Sequence, residues 1–204
     1  MNFPSSLIKN AVEAISNFPG IGKKTALRLA VYLLRNKKQA QNISQSIKEM
    51  IEQTTYCQNC YNISKDDLCN ICANNKRNKN TICVVEDIRD IIAIENTMQY
   101  KGLYHVLGGL ISPIDGIGPN ELNIDSLVEK IKKGNVEEII FALCASMEGE
   151  TTSYYMYKQL RPFKLNITTI SKGISIGNEL EYTDEITLGR ALLNRYAFEK
   201  SLEQ

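Results

Sequence analysis

The chain has 204 residues and a mass of 23.0 kDa; 43% of its residues are hydrophobic and 23% are charged. This composition is typical of a soluble globular protein with one large or a few small domains. No apolar run approaches the roughly 18 residues of a membrane span, and the start MNFPSSLIKN lacks the pattern of a signal peptide. We therefore expect a cytoplasmic protein.

The net charge of +1 conceals an asymmetry along the chain. Residues 1–80 contain 12 Lys and Arg against 5 Asp and Glu, a balance of +7, whereas residues 81–204 contain 12 against 18, a balance of −6. A basic N-terminal part is typical of nucleic-acid binding, and an acidic part would repel a phosphate backbone. The two parts are expected to have different partners.

Residues 18–30, FPGIGKKTALRLA, have the glycines and lysines of a nucleotide-binding loop. A Walker loop placed on this GK pair requires glycine at position 17 and Ser or Thr at position 24, where the chain has Asn17 and Lys24. The dinucleotide fingerprint G-x-G-x-x-G fails at Thr25, and no strand-like run precedes it. Neither nucleotide motif fits.

The same stretch predicts a tight turn between two amphipathic helices. Pro19 restricts one backbone angle, Gly20 and Gly22 permit positive φ, and a helical pattern begins at Thr25. An earlier helix is predicted from apolar residues at helical spacing: Leu7, Ile8, Ala11, Val12 and Ile15. The arrangement resembles the helix-hairpin-helix motif, which holds a nucleic-acid backbone without reading bases.

Three cations accompany this turn: Lys23, Lys24 and Arg28. Free backbone amides at a helix start, with cations beside them, suit a phosphate. The three residues are therefore candidate DNA contacts. An ordinary helical hairpin with solvated lysines is the alternative.

The segment YCQNCYNISKDDLCNICANN contains two C-x2-C pairs: Cys57 with Cys60, and Cys69 with Cys72. Four thiolates at this spacing can bind zinc tetrahedrally, and the polar segment between them has too little apolar content to fold unaided. Four sulfurs leave no open coordination position, which indicates a structural role. Disulfides, or an iron or iron-sulfur site, are the alternatives.

Two apolar runs in the acidic half end in carboxylates. TICVVE, residues 81–86, ends at Glu86, and EEIIFALCASMEGE, residues 137–150, ends with Glu148 and Glu150. Such runs, followed by helical patterns, predict buried parallel strands with sites at their carboxyl ends. Three carboxylates there are a plausible Mg²⁺ site; acids that merely solvate loops are the alternative. Cys83 and Cys144, inside these runs, are predicted to be buried.

A last helix is predicted from about Thr183 to Glu199, with Asp184 and Glu185 in its first turn. Its apolar residues are too many for a one-sided surface helix: Ile186, Leu188, Ala191, Leu192, Leu193 and Tyr196. We expect an oligomer contact there.

The order of these features resembles one protein family along essentially the whole chain. A glutamate closing one strand and two acids closing another are similar to the Toprim domain of topoisomerases, primases and certain nucleases. The hairpin, the four cysteines, YHVLGGLISPIDGIGP and GISIGNELEYTDEITLGRAL together closely resemble the RecR family of bacterial recombination mediators.

The resemblance implies a mixed α/β fold in four regions. A helix-hairpin-helix region is expected over 1–53, a four-cysteine zinc finger over 54–80 and a Toprim domain with a parallel sheet over 81–172. A C-terminal strand-helix segment, likened to a Walker B motif and expected to support oligomerisation, covers 173–204.

The family's functional residues match positions of this chain. Lys24 and Arg28 match its DNA-contacting positions, with Lys23 a further candidate. The remaining matches are the zinc ligands Cys57, Cys60, Cys69 and Cys72, and the Toprim acids Glu86, Glu148 and Glu150, which the family uses in partner contact and which are a possible Mg²⁺ site. Thr169 departs from the family, since many members carry arginine there.

The function that the resemblance implies is a non-enzymatic clamp and adaptor. Family members form ring-like tetramers able to encircle DNA, and they act with RecO and RecF to place RecA on single strands coated by single-strand-binding protein. Sequence-independent contact with single- and double-stranded DNA, at the nucleoid, is expected.

Two other functions are compatible with parts of the pattern. A Mg²⁺-dependent phosphoryl-transfer enzyme would use the three acids, but the sequence offers no convincing nucleophile. Tyr154, Tyr155 and Tyr157 lie on a predicted helix, and His105 lies on a strand-like run where a structural role is commoner. A protein scaffold without direct DNA contact is the third possibility.

Overall fold

The computed structural model describes residues 3, 5–175, 177, 179–195 and 197–201, with the backbone alone at 200 and 201. The chain divides into two compact units, 1–54 and 55–204. The finer division of the second unit into three regions stays a prediction.

Three helices form the first unit: α1 (Ser6–Ser16), α2 (Lys23–Arg35) and α3 (Lys37–Gln53). The Ser5 hydroxyl caps α1 by accepting a hydrogen bond from the Leu7 amide at 3.2 Å. Val12 and Ala26 are the buried residues of α1 and α2, and α3 has none. The prediction of an N-terminal helical region is confirmed.

The second unit begins with a small cysteine-rich subdomain. Strand β1 (Thr55–Tyr56) pairs antiparallel with β2 (Ile63–Ser64), and the short helix α4 (Asn70–Ala73) follows. Cys57 and Cys60 lie between β1 and β2, and Cys69 and Cys72 lie at the start of α4 and within it. The β1-β2 hairpin thus brings the chain back, so that the second cysteine pair lies near the first.

A four-stranded parallel sheet with its helices follows in this unit, which confirms the predicted α/β fold. Its strands lie in the order β4-β3-β5-β6. Along the chain the elements are β3 (Asn78–Val85), α5 (Ile88–Asn96), β4 (Gly102–Val106), α6 (Ile124–Lys133), β5 (Glu138–Ala142), α7 (Met147–Leu160) and β6 (Asn166–Thr169), with a 3-10 turn at Pro119–Glu121 before α6.

The sheet is buried on both faces. Ile82 and Val84 of β3 point to one face, where α6 and α7 pack, and Cys83 and Val85 point to the other, where Ile91 of α5 packs. Because both faces are covered, β3 is a continuous apolar run rather than an alternating one.

The C-terminal segment contains a 3-10 turn (Leu180–Tyr182), α8 (Glu185–Leu193) and a second 3-10 turn at Phe198–Ser201. The predicted strand is absent from the described residues between 173 and 201, because this stretch has no neighbouring strand there to satisfy its backbone groups.

The predicted helix over Thr183–Glu199 is too long. Helix α8 ends at Leu193, where the amide of the capping residue Asn194 donates to the Arg190 carbonyl at 2.9 Å. Asparagine competes with the helical backbone for hydrogen bonds, which favours an end here. Tyr196 lies outside the described residues. Within the part of the chain that the structure describes, no helix has both the length and the apolar character of a bilayer span.

Candidate nucleic-acid interface and metal centre

The turn between α1 and α2 leaves the start of α2 open. Gly20 has φ 78°, which favours glycine, and the Ile21 amide donates to the Phe18 carbonyl at 3.1 Å. Gly22 caps α2 without a side-chain hydrogen bond, and the amides of Lys23 and Lys24 have no acceptor among the described residues. The helix starts two residues earlier than the pattern predicts, since its first turn needs no apolar residue.

The three predicted DNA contacts lie in the first two turns of α2. Lys23, Lys24 and Arg28 are exposed, and none of them forms an ion pair with another described residue. The first turn of α2 contains no acidic residue. Because backbone amides and side-chain cations share this surface, it can bind an anion.

Two further residues extend this surface along α2. Tyr32 and Arg35 line, with Lys24 and Arg28, a shallow depression of about 440 Å³. Sequence reasoning missed them, although Arg35 follows Arg28 by seven residues, a spacing that keeps both on one face of a helix.

The four cysteines converge, and their ligand sulfurs all lie within 4.8 Å of one another. The Sγ atoms of Cys60 and Cys69 are 3.5 Å apart. Four sulfurs at about 2.3 Å from one ion, as zinc prefers, would lie about 3.8 Å apart, so this donor set fits zinc. The predicted structural zinc site is confirmed as a site with four cysteine ligands.

Residues around the cysteines hold the site in shape and attach it to the sheet. The Asn59 side-chain amide donates to Cys72 Sγ at 3.3 Å. The Val106 amide, at the end of β4, donates to the Cys60 carbonyl at 2.8 Å, and the Lys130 ammonium donates to the Asn59 carbonyl. The metal centre therefore supports the edge of the sheet at β4.

Glu86 follows β3 directly and is partly buried. Burial raises the pKa of Glu86, and the carboxylates of Asp90 and Asp87 add to this effect. Asp90 itself accepts the Glu86 and Asp87 amides, each at 3.1 Å, and so forms the capping box of α5. The loop after β3 is thus an acidic surface at the carboxyl end of the sheet.

Glu148 and Glu150 lie in the first turn of α7 rather than at the end of β5. Two positions along a helix are about 200° apart around its axis, so the side chains point in nearly opposite directions. A backbone amide and then the hydroxyl of Ser146 lower the pKa of Glu148, whereas Lys172 and then Arg190 lower the pKa of Glu150.

The three glutamates do not converge as a metal site. Among the described residues, the four cysteines are the one group of three or more His, Cys, Asp or Glu side chains whose ligand atoms come together. Glu148 and Glu150 lie two residues apart on α7 and point to opposite sides of it, so a shared Mg²⁺ site of Glu86, Glu148 and Glu150 stays a prediction.

His105 and Cys83 are buried, as their strand-like runs predict, whereas Cys144 is not. His105 is fully buried in β4, where its Nε2 donates to the Asn123 carbonyl at 2.7 Å and the Lys130 ammonium approaches its Nδ1 at 3.5 Å. Cys83 is buried as predicted, but Cys144 is exposed, because β5 ends at Ala142 and Cys144 lies in the following loop.

The tyrosines of α7 and Thr169 contribute to packing and to a groove. Tyr155 packs against the core, whereas Tyr154 and Tyr157 are exposed. Tyr154 and Tyr157 line a groove of about 330 Å³, together with Glu150 and Thr169. The Thr169 hydroxyl donates to the Phe141 carbonyl at 3.2 Å.

Four family models match successive parts of the chain. Residues 8–51 match the RecR helix-hairpin-helix, 54–74 match the RecR zinc finger domain with four cysteine ligands, 80–171 match the Toprim domain and 173–196 match the RecR C-terminal model.

Curated relatives match over nearly the full chain. A protein of Flavobacterium johnsoniae named "Recombination protein RecR" is 59% identical over 100% of this chain and 99% of its own length. Proteins of the same name from Flavobacterium psychrophilum and Porphyromonas gingivalis are 54% and 48% identical; the first match covers 100% of this chain and 99% of the relative, and the second covers 98% of each.

Proposed function

The chain belongs to the RecR family of recombination proteins, and we propose that within it this protein is a non-enzymatic DNA-binding adaptor of recombinational repair. In this proposal it acts with RecO and RecF to load RecA onto single strands coated by single-strand-binding protein. It works in the cytoplasm at the nucleoid, as a ring-like homotetramer that encloses DNA.

The observation that carries the proposal is the open start of α2. The amides of Lys23 and Lys24 lack acceptors within the described residues, and exposed cations lie in the first two turns of the same helix. A phosphate can accept both amides while Lys24 and Arg28 neutralise its charge. These contacts reach only the backbone of a nucleic acid, so the binding is independent of base sequence.

The other regions have supporting roles in the proposal. Residues 1–53 grip DNA, and residues 54–80 hold zinc on Cys57, Cys60, Cys69 and Cys72. The four thiolates would hold zinc as a structural cross-link between the two cysteine pairs. Residues 81–172 offer Glu86 and Glu148 to basic partner surfaces, and residues 173–204 support oligomer contacts.

The grip is tested by fluorescence-anisotropy titration of a labelled single strand with a double-stranded tail, across a range of salt. The test variant carries Lys24→Glu and Arg28→Glu. The control carries Lys101→Glu and Lys132→Glu, two exposed lysines of the second unit, and changes the net charge equally.

The wild type should bind with a steep salt dependence, since each neutralised phosphate of a duplex contributes a log-log slope of about −0.9. The test variant should lose at least about tenfold in affinity. The slope of its log affinity against log salt concentration should be shallower by the equivalent of about two phosphate contacts, whereas the control should stay close to wild type. Equal losses in both variants would reduce the effect to net charge and refute the assigned site.

The absence of catalysis is tested on supercoiled plasmid with Mg²⁺. The adaptor proposal expects no nicking or relaxation by clean preparations. An activity that copurifies with the wild type and is lost in Glu148→Ala would replace the adaptor with a Toprim phosphoryl-transfer enzyme. Light scattering tests the proposed tetrameric state. A monomeric mass at physiological protein concentration would contradict it.

A further inference from the structure

The carboxylate of Glu150 is occupied by two cations of the segment that follows the sheet. Lys172 Nζ lies 2.7 Å from Glu150 Oε1, and Arg190 Nη2 lies 3.4 Å from the same oxygen. Lys172 comes just after β6, and Arg190 lies in α8, 40 residues beyond Glu150. One side chain of α7 thus contacts both the residue that precedes the C-terminal segment and helix α8 within that segment.

Residues 187–191 of α8 are half-buried, but its polar attachment to the preceding fold is confined to one residue. No residue of α8 is buried. Among the described residues of 173–195, the hydrogen bonds and ion pairs that reach the preceding fold all run from Arg190 to Glu150. The remaining hydrogen bonds of α8, such as that from the Thr187 amide to Asp184, are internal to it.

Glu148 has a different environment. It forms no ion pair within the described part of the chain and points to the other side of α7, where Asp115 is a neighbouring charge. Glu86 likewise has no ion-pair partner among the described residues. Two of the three acids are therefore open, and the third is engaged internally.

We propose that Glu150 is a positioning residue that anchors the C-terminal segment on α7, and that Glu86 and Glu148 are the acids left open to an external cationic group. The assignment of Glu150 stands on the ion pairs alone; the role of the other two acids rests on the proposed partner contact. Lys172 and Arg190 compete with any external cation for Glu150, so a cationic ligand that takes Glu150 releases α8.

The anchor is tested by backbone hydrogen exchange of α8 in the full-length chain. All variants are compared in the same oligomeric state, which light scattering verifies. The variants are Glu150→Gln and, as an isosteric control two residues away, Glu148→Gln. We expect exchange in α8 to accelerate about two- to tenfold in the first variant, as for the loss of two exposed ion pairs, and to stay at the wild-type rate in the second.

A double-mutant cycle separates the ion pairs from a general effect on α7. The effects of Glu150→Gln and Lys172→Met on exchange should be less than additive, whereas those of Glu148→Gln and Lys172→Met should add. Raising the salt concentration should accelerate exchange in the wild type and leave Glu150→Gln unchanged.

Equal effects of the two glutamine variants, or full additivity in the first cycle, would overturn the anchor. The outcome is independent of partner binding. If α8 loosens as expected while Glu148→Gln leaves partner capture unchanged, the anchor stands and the proposed partner contact fails.

Discussion

Arg77 and Glu95 form a partly buried ion pair between the start of β3 and the last turn of α5. Arg77 Nη1 donates to Glu95 Oε1 at 2.9 Å, and Nη2 contacts the other carboxylate oxygen. The Tyr104 hydroxyl donates to the same carboxylate at 2.7 Å. The Arg77 guanidinium holds the pKa of Glu95 below its ordinary value of 4.5. This ion pair connects the stretch between the cysteine-rich subdomain and β3 to α5, which packs on one face of the sheet.

The Glu95 charge should therefore make stability depend on pH. Because the pKa of Glu95 is lower in the folded state, its charge stabilises the fold above about pH 4.5, and this contribution is lost as pH falls through the folded value. We expect Glu95→Gln to lower the free energy of unfolding by about 1–3 kcal/mol at pH 7. Urea unfolding of both proteins across the acid range measures the difference, which should narrow progressively as the pH falls below about 4.5; a difference that keeps its size there would assign it to packing.

Zinc removal should destabilise the second unit beyond the cysteine loop. The Val106 amide and the Lys130 ammonium both donate to carbonyls of this loop, so β4 and α6 lose partners when the loop unfolds. Chelation or Cys57→Ser should lower the free energy of unfolding by more than about 3 kcal/mol. Zinc analysis should give one ion per chain in the wild type.

Cys144→Ser is the matched control for that experiment, because Cys144 is an exposed thiol away from the cluster. It should leave zinc content and unfolding temperature at wild-type values. A loss of zinc in this variant, or full zinc in Cys57→Ser, would contradict the assigned ligands.

The single histidine should remain neutral throughout the physiological range. Burial, with the Lys130 charge nearby, lowers the pKa of His105 from 6.5 to about 3. A lowered pKa means that the unfolded chain takes up the proton first, so stability falls below about pH 6.5, by at most about 1.4 kcal/mol per pH unit. NMR titration of the imidazole should show no transition between pH 5 and 8. A midpoint near 6.5 would mean that the ring is solvated.

The elements best predicted from sequence are those set by local spacing or by burial on two sides. Two C-x2-C pairs can converge through a short loop, so the zinc ligands follow from spacing alone. Continuous apolar runs such as ICVV in β3 indicate strands covered on both faces, and the parallel sheet confirms this.

The errors arise where an apolar run continues past the end of its element. The run IIFALCAS suggested a strand that buries Cys144, but β5 ends at Ala142 and a loop precedes α7. Because α7 then starts at Met147, Glu148 and Glu150 become helical neighbours on opposite sides rather than a pair at a strand end. The partners of Glu150 lie 22 and 40 residues away, beyond the reach of any local pattern.

The glycine between these two acids should be irreplaceable, although it lies in a helix. A Cβ at Gly149 would overlap the carbonyl oxygen of Cys144, whereas a Cβ at Gly189 in α8 would meet no atom within 4 Å. Alanine is favoured over glycine by about 1 kcal/mol in an open helix, so Gly189→Ala should be neutral or slightly stabilising. Gly149→Ala should instead destabilise by about 2–4 kcal/mol, because the loop after β5 must move away from α7. Thermal and urea unfolding of the two variants measure this contrast. If Gly149→Ala is as stable as Gly189→Ala, the loop after β5 does not pack this closely against α7.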